Sequence, residues 1–96
     1  MEPIALPKFE RVYKKFTKKL KEKIKKEIKL ILNNPEMGEL KKGDLTGIRV
    51  YKFKEKRQLY LLAYQVDYKK DRLYLYAIGT HEGFYKKLKK YIQEIE

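Results

Sequence analysis

The sequence holds one histidine, His81, in the run Thr80-His81-Glu82-Gly83-Phe84-Tyr85, and an earlier stretch that sets Lys52 and Lys54 two residues apart with Arg57 close behind. Histidine is the side chain that most readily takes and gives protons near neutrality. Lysine and arginine donate charge-assisted hydrogen bonds to phosphate oxygens. With Thr80 as an N-cap, His81 is expected in the first turn of a final helix, where free backbone N–H groups favour an anion, and Tyr85 falls one turn later on the same face. Together these residues could bind a phosphate and move a proton beside it. Each also has a plainer reading. Alternating strand lysines commonly only solubilise a sheet edge, His81 could be an exposed helix-start residue, and Tyr85 lies at the border of the apolar stripe Phe84, Leu88, Tyr91, Ile92 and Ile95. Tyr85 could pack its ring there and still present its hydroxyl.

Other chemistries fit poorly. Without cysteine there are no disulfides, thiolate metal sites or thiol nucleophiles. One histidine, and a carboxylate pair (Asp67 and Asp71) set in a lysine-rich turn, make no metal site, so neither a metal nor another cofactor is expected. The glycine-rich phosphate loops of nucleotide-binding folds and the nucleophile elbow of serine hydrolases do not occur.

The charge points to the partner. Twenty-five Lys and Arg against 13 Asp and Glu give a formal charge of +12 on 96 residues, which concentrates polyanions and opposes compaction. Lysine-rich surfaces also mark thermophile proteins, but that does not explain the imbalance. No apolar run approaches the roughly 20 residues of a membrane span, and residues 1–7 lack a signal peptide's basic start and apolar core. A cytoplasmic protein with no membrane association is expected.

Residues 1–96 are expected to form one domain with a modest core, for which 43% hydrophobic residues, including nine Tyr and four Phe, suffice. Apolar residues from Phe9 to Leu32 recur at steps of three and four, the period of a helical face. One unbroken helix there would run about 39 Å at 1.5 Å per residue, longer than so small a domain accommodates. A break near Thr17 is therefore expected, giving a hairpin of helices over about 9–16 and 18–33 whose outer faces carry Lys14, Lys15, Lys18, Lys19, Lys21, Lys25, Lys26 and Lys29. Such a run is ordinarily a solvated face. Asn33-Asn34-Pro35 ends the pattern. Three strands, near 48–54, 59–66 and 72–78, with short connections read as an antiparallel meander. On the first, Ile48, Val50, Lys52 and Lys54 share one face, with Arg49, Tyr51 and Phe53 on the other. The fold class is α+β: a helical hairpin packed on a small antiparallel sheet, with a C-terminal helix and the second sheet face partly open.

Lys42-Gly43-Asp44-Leu45-Thr46-Gly47-Ile48-Arg49-Val50-Tyr51-Lys52-Phe53, then Leu61-Leu62-Ala63-Tyr64, then Ile78 to Tyr85, resemble in order and spacing the RelE/ParE toxin superfamily. The final segment also looks like the end of YafQ-type toxins. The resemblance covers nearly the whole chain. It implies the toxin of a type II toxin-antitoxin pair, held in a hetero-oligomeric complex by a cognate antitoxin wrapped over it; from the surface charge, an acidic antitoxin segment is expected to cover Lys52 and Lys54. RelE-like members are endoribonucleases that cut mRNA on the ribosome, whereas ParE-like members poison DNA gyrase. A non-catalytic nucleic-acid-binding module is a third reading.

Lys52 and Lys54 match the strand lysines of RelE-like enzymes, His81 falls where these carry a C-terminal Arg or His, and Tyr85 matches a nearby aromatic. The sequence departs from the pattern at Leu61, where arginine is common, and in lacking the additional histidines of YafQ, so either Arg49 or Arg57 supplies the missing charge or activity is weak. The implied reaction is metal-independent RNA cleavage through the 2′-hydroxyl, with His81 as general acid, Lys52, Lys54 and Arg57 stabilising the phosphorane, and Tyr85 orienting or stacking on the substrate. Arg49, Lys52, Lys54 and Arg57 form the expected RNA-binding set.

Overall fold

The computed structural model describes residues 1–95. Two helices, α1 (Pro7–Lys14) and α2 (Lys18–Asn33), follow a short strand β1 (Glu2–Ala5). Then come β2 (Glu39–Leu40), a 3₁₀ turn at Gly43–Leu45, strands β3 (Arg49–Glu55), β4 (Gln58–Asp67) and β5 (Arg72–Thr80), and helix α3 (Phe84–Ile95). The radius of gyration is 12.6 Å and the longest extent 33 Å, so an unbroken first helix would not have fitted. The break lies where its capping residue stands. Thr17 is extended, and its Oγ1 accepts from the Leu20 N–H at 3.2 Å, satisfying one of the free donors of α2. A cap of this kind contributes about 1 kcal/mol.

The α+β class and the antiparallel β3-β4-β5 meander are as expected, but the sheet is larger and mixed. Its order is β1-β5-β4-β3-β2, and β1 runs parallel to β5, with Glu2 opposite Arg72 and Ala5 opposite Leu75. A four-residue strand containing Pro3 and followed by Pro7 carries little sequence signal, and an edge position is where a strand tolerates proline. β2 pairs antiparallel with β3, Glu39 facing Val50.

Two cores sandwich the sheet. On the hairpin side Phe9, Leu20, Ile24 and Ile31 pack on Phe53, Leu62, Tyr64, Leu73, Leu75 and Ile78. On the other side α3 buries Phe84, Leu88 and Ile92 against Leu45, Ile48, Val50, Leu61 and Ala63. The second face is thus covered by α3 over the Ile48 and Val50 end, and Lys52 and Lys54, beyond it, are exposed.

β5 contains a bulge that sets the phase of everything after it. Ala63 pairs with Ala77 but Tyr64 with Leu75, leaving Tyr76 as the extra residue. Side chains alternate along a strand, so one inserted residue exchanges the faces. Leu73 and Leu75 point into the hairpin core, but so does Ile78, whereas Ala77 packs on the α3 side.

A buried carboxylate ties α2 to the sheet. The Tyr51 hydroxyl donates to Glu27 Oε1 at 2.7 Å, and Lys23 lies 3.7 Å from Glu27 Oε2. Burial, reinforced by the hydrogen bond and charge of Glu27, pushes the Tyr51 phenol up to about 12. An unfolded tyrosine titrates near about 10, so the folded state holds this proton longer. The associated stability is complete below about pH 10 and is lost as pH rises through about 12. Tyr51 is expected among the last tyrosines to ionise in an ultraviolet titration, and Tyr51→Phe should remove the highest-pH part of that curve; an unchanged curve would refute the assignment.

Candidate nucleic-acid interface

The strand register places the cations. Lys52 is opposite Leu61, which is opposite Gly79, and Lys54 is opposite Leu59. Tyr60 and Thr80 form the last pair between β4 and β5, so His81, the next residue, borders Leu59 and thereby the Lys54 end of β3. The bulge at Tyr76 makes this possible. Ala77 and Gly79 share the face of Leu61 and Lys52, the phase in which β5 runs up to His81. His81 is exposed, as are Lys52 and Lys54.

His81 does not occupy the expected first helical turn. Thr80 is the last residue of β5 rather than an N-cap, and residues 81–83 form a turn in which the Phe84 N–H reaches the His81 carbonyl at 3.4 Å. Gly83, at φ +68°, makes the reversal, and the helix starts at Phe84. A helix-terminus anion site at His81 is therefore absent. Tyr85 lies in that helix, partly buried on the α3-side core, with its ring 5.6 Å edge-on to Phe84. The packed ring is also faced by a cation, Lys41 Nζ, 5.0 Å from its centroid.

Arg57 occupies the two-residue turn between β3 and β4, beyond the Lys54–Leu59 pair. Lys56 and Arg57 have φ of +48° and +69°, a left-handed turn that usually recruits Asn and Gly. Holding two long cationic side chains in that conformation costs roughly 1–2 kcal/mol per residue. Both are exposed at the tip.

Arg49 is not brought to this face. Its guanidinium donates to the carbonyls of Glu36 at 3.1 Å and Gly38 at 2.8 Å, fastening the loop that leads into β2. Tyr64 secures the same loop, its hydroxyl accepting from the Gly38 N–H at 2.9 Å and donating to the Pro35 carbonyl at 2.7 Å. A side chain at position 38 would meet the Tyr64 hydroxyl at 2.7 Å, which explains the glycine.

The residue that the sequence reading missed is Lys41. It projects from the end of β2, paired with Glu39 and over the Tyr85 ring. Hydrogen bonding and charge from Lys41, with a smaller contribution from Lys52, hold the Glu39 carboxyl below the ordinary carboxylate range. Glu39 raises the Lys41 ammonium in turn, partial desolvation opposes it, and Tyr85 adds to the rise. A lysine in a loop rich in lysine and glycine gives no local signal, and only the β2–β3 pairing brings it to Glu39 and Tyr85.

Among the described residues, no group of three or more His, Cys, Asp or Glu could hold a metal ion, and no helix is long and apolar enough to cross a membrane.

The mixed five-stranded sheet between a helical hairpin and a C-terminal helix is a RelE-like fold. The chain resembles E. coli toxin RelE in a free-state mutant form, with a TM-score of 0.77, 18% identity, and coverage of 99% of this chain and 97% of that one. The toxin-antitoxin complex RelBE of E. coli gives 0.68 and 22%, over 84% of this chain and 96% of that one. A conserved hypothetical protein from Helicobacter pylori, HP0892, gives 0.56 and 23%, over 88% and 98%. No curated protein matches by sequence. The family model for the ParE-like toxin of type II bacterial toxin-antitoxin systems matches residues 4–89, and the chain belongs to that family, within the RelE/ParE superfamily.

Proposed function

We propose that this toxin cleaves RNA without a metal ion, through the 2′-hydroxyl, with mRNA on the ribosome as its substrate. The observation that supports this reading is that β5 ends at the Tyr60–Thr80 pair, so the only histidine follows directly at the end of the sheet toward which β3 carries the exposed Lys52 and Lys54. The 2′-hydroxyl loses its proton to a base at the site, its oxygen bonds to the adjacent phosphorus, and the bond from phosphorus to the 5′ oxygen breaks. His81 donates a proton to that departing oxygen, leaving a cyclic phosphate and a 5′-hydroxyl. Lys52 and Lys54, with Arg57 from the turn, offset the charge gathering on the phosphorane. Tyr85 orients the substrate at the border with α3. Only RNA supplies this nucleophile.

The partner in the resting state is an antitoxin. Structures of E. coli RelE exist in the intact RelBE complex and, for a mutant form, with a peptide of the antitoxin, RelBc. For the present toxin, an acidic antitoxin segment covering Lys52 and Lys54 would relieve self-repulsion and block the site. An antitoxin bound solely through the α2 lysines, with the sheet face open, would contradict that occlusion.

Lys54→Ala tests the phosphate role. Lys54 would touch phosphate in ground and transition states alike, so the variant should both bind RNA more weakly and cleave it more slowly, with the salt dependence of log Kd reduced by about one ion. Unchanged affinity and slope at matched salt would remove Lys54 from the interface.

The matched family model is described as ParE-like, which favours a second reading, a protein-directed poison of DNA gyrase. That activity needs no 2′-hydroxyl chemistry. Growth arrest that persists in a folded His81→Ala variant, with intact cellular RNA, would establish it over cleavage.

A further inference from the structure

Strand β2 is only two residues long, yet four side-chain hydrogen bonds from Arg49 and Tyr64 hold the loop that delivers it. What this fastening positions is the pair Glu39 and Lys41. Glu39 lies opposite Val50, and the Lys41 N–H donates to the Ile48 carbonyl at 2.9 Å. Directly opposed residues share a sheet face. Glu39 and Lys41 therefore stand on the face of Ile48, Val50 and Lys52, beside α3. Lys41 is held from two sides, by the Glu39 carboxylate and by the Tyr85 ring, and its side chain is 22% exposed. Glu39 is on the solvent side at 69%.

We propose that Lys41 is a further phosphate-binding residue of the cleavage site, and that the Glu39 carboxylate is a stand-in anion that RNA displaces. The proposal rests on the RNA-directed reading above. An exposed ion pair contributes little to stability, so Glu39 is readily exchanged for another oxyanion. An ammonium seated over an aromatic ring retains its charge and has already lost much of its side-chain freedom, which lowers the cost of binding. A carboxylate oxygen on a lysine amine satisfies the same donor that a phosphate oxygen would.

The test measures affinity for an RNA oligonucleotide blocked by 2′-O-methyl groups, over a range of salt, alongside single-turnover cleavage of the unblocked RNA. Thermal melts confirm that each variant is folded. Lys41→Ala should weaken binding about 5–10-fold and reduce the salt slope by about one, while Lys41→Arg should keep the slope. Glu39→Gln should tighten binding about 2–5-fold, the scale of one surface ion pair. The double variant should keep little of the Glu39→Gln gain and bind close to Lys41→Ala alone, because Glu39 acts mainly through Lys41 and only to a smaller extent through Lys52. Unchanged affinity in Glu39→Gln, or the same gain with and without Lys41, overturns the proposal. A cleavage loss in Glu39→Gln at unchanged affinity also overturns it, and would make Glu39 a proton acceptor instead. If the wild type binds the blocked RNA but cleaves none, the enzymatic reading alone falls, and the coupling between positions 39 and 41 still decides this one. A wild type that binds no RNA overturns both.

Discussion

Replacing His81 by alanine is expected to slow single-turnover RNA cleavage about 10²–10⁴-fold, the usual scale for a general acid, while changing RNA affinity far less. The asymmetry follows from the site. On the proposed mechanism Lys52, Lys54 and Arg57 would hold phosphate at every stage, whereas imidazole is the side-chain type suited to proton transfer near neutrality. Its exposed position on a turn, outside both cores, means that removing the imidazole should leave the fold intact. The assay is cleavage on programmed ribosomes with affinity measured separately at fixed salt. A folded variant that cleaves at the wild-type rate would exclude His81 from the mechanism and leave the lysines and arginines as the only catalysts.

The largest effect on stability is expected at Tyr64, which is fully buried. Truncation to alanine removes an aromatic ring from the hairpin-side core and should cost about 3–5 kcal/mol. For a domain of this size each kcal/mol lowers the melting temperature by roughly 4–8 °C, so this variant is expected to melt about 12–40 °C below the wild type. Tyr64→Phe isolates the hydroxyl. It leaves the ring in place but deprives the Gly38 N–H and the Pro35 carbonyl of their partner, at a cost of about 1–3 kcal/mol. Because those two groups fasten the loop into β2, Tyr64→Phe should also speed hydrogen exchange at Gly38 and Lys41 more than at Leu62. Equal melting temperatures for Tyr64→Phe and wild type would show that the hydroxyl contributes no fastening.

Much of this architecture is written locally. The three-and-four spacing from Phe9 to Leu32, the capping threonine and the Asn33-Asn34-Pro35 stop define the hairpin, because helix periodicity, caps and proline sterics act within a few residues. The alternation over residues 48–54 likewise shows that Lys52 and Lys54 share a face. The outer strands were illegible for the opposite reason. Four residues at β1 and two at β2 are strands only because β5 and β3 offer them hydrogen bonds.

The sequence by itself determined the α+β class, the helix break, the antiparallel meander and the basic character of the surface, each a consequence of short-range pattern or summed charge. Only the tertiary structure decided which residues meet. Strict alternation from Leu73 and Leu75 would have turned Ala77 and Gly79 to the hairpin side, and the inserted Tyr76 reverses it, so that Gly79, opposite Leu61, shares the face of Lys52 two residues before His81. Pairing of β2 with β3 sets Lys41 between Glu39 and Tyr85, while Arg49, an equally plausible phosphate ligand in the sequence, is turned away to the Glu36 and Gly38 carbonyls. The physical reason is that a bulge or a register is a property of two strands together. It depends on which backbone donors find acceptors across the sheet, and no single segment carries that information.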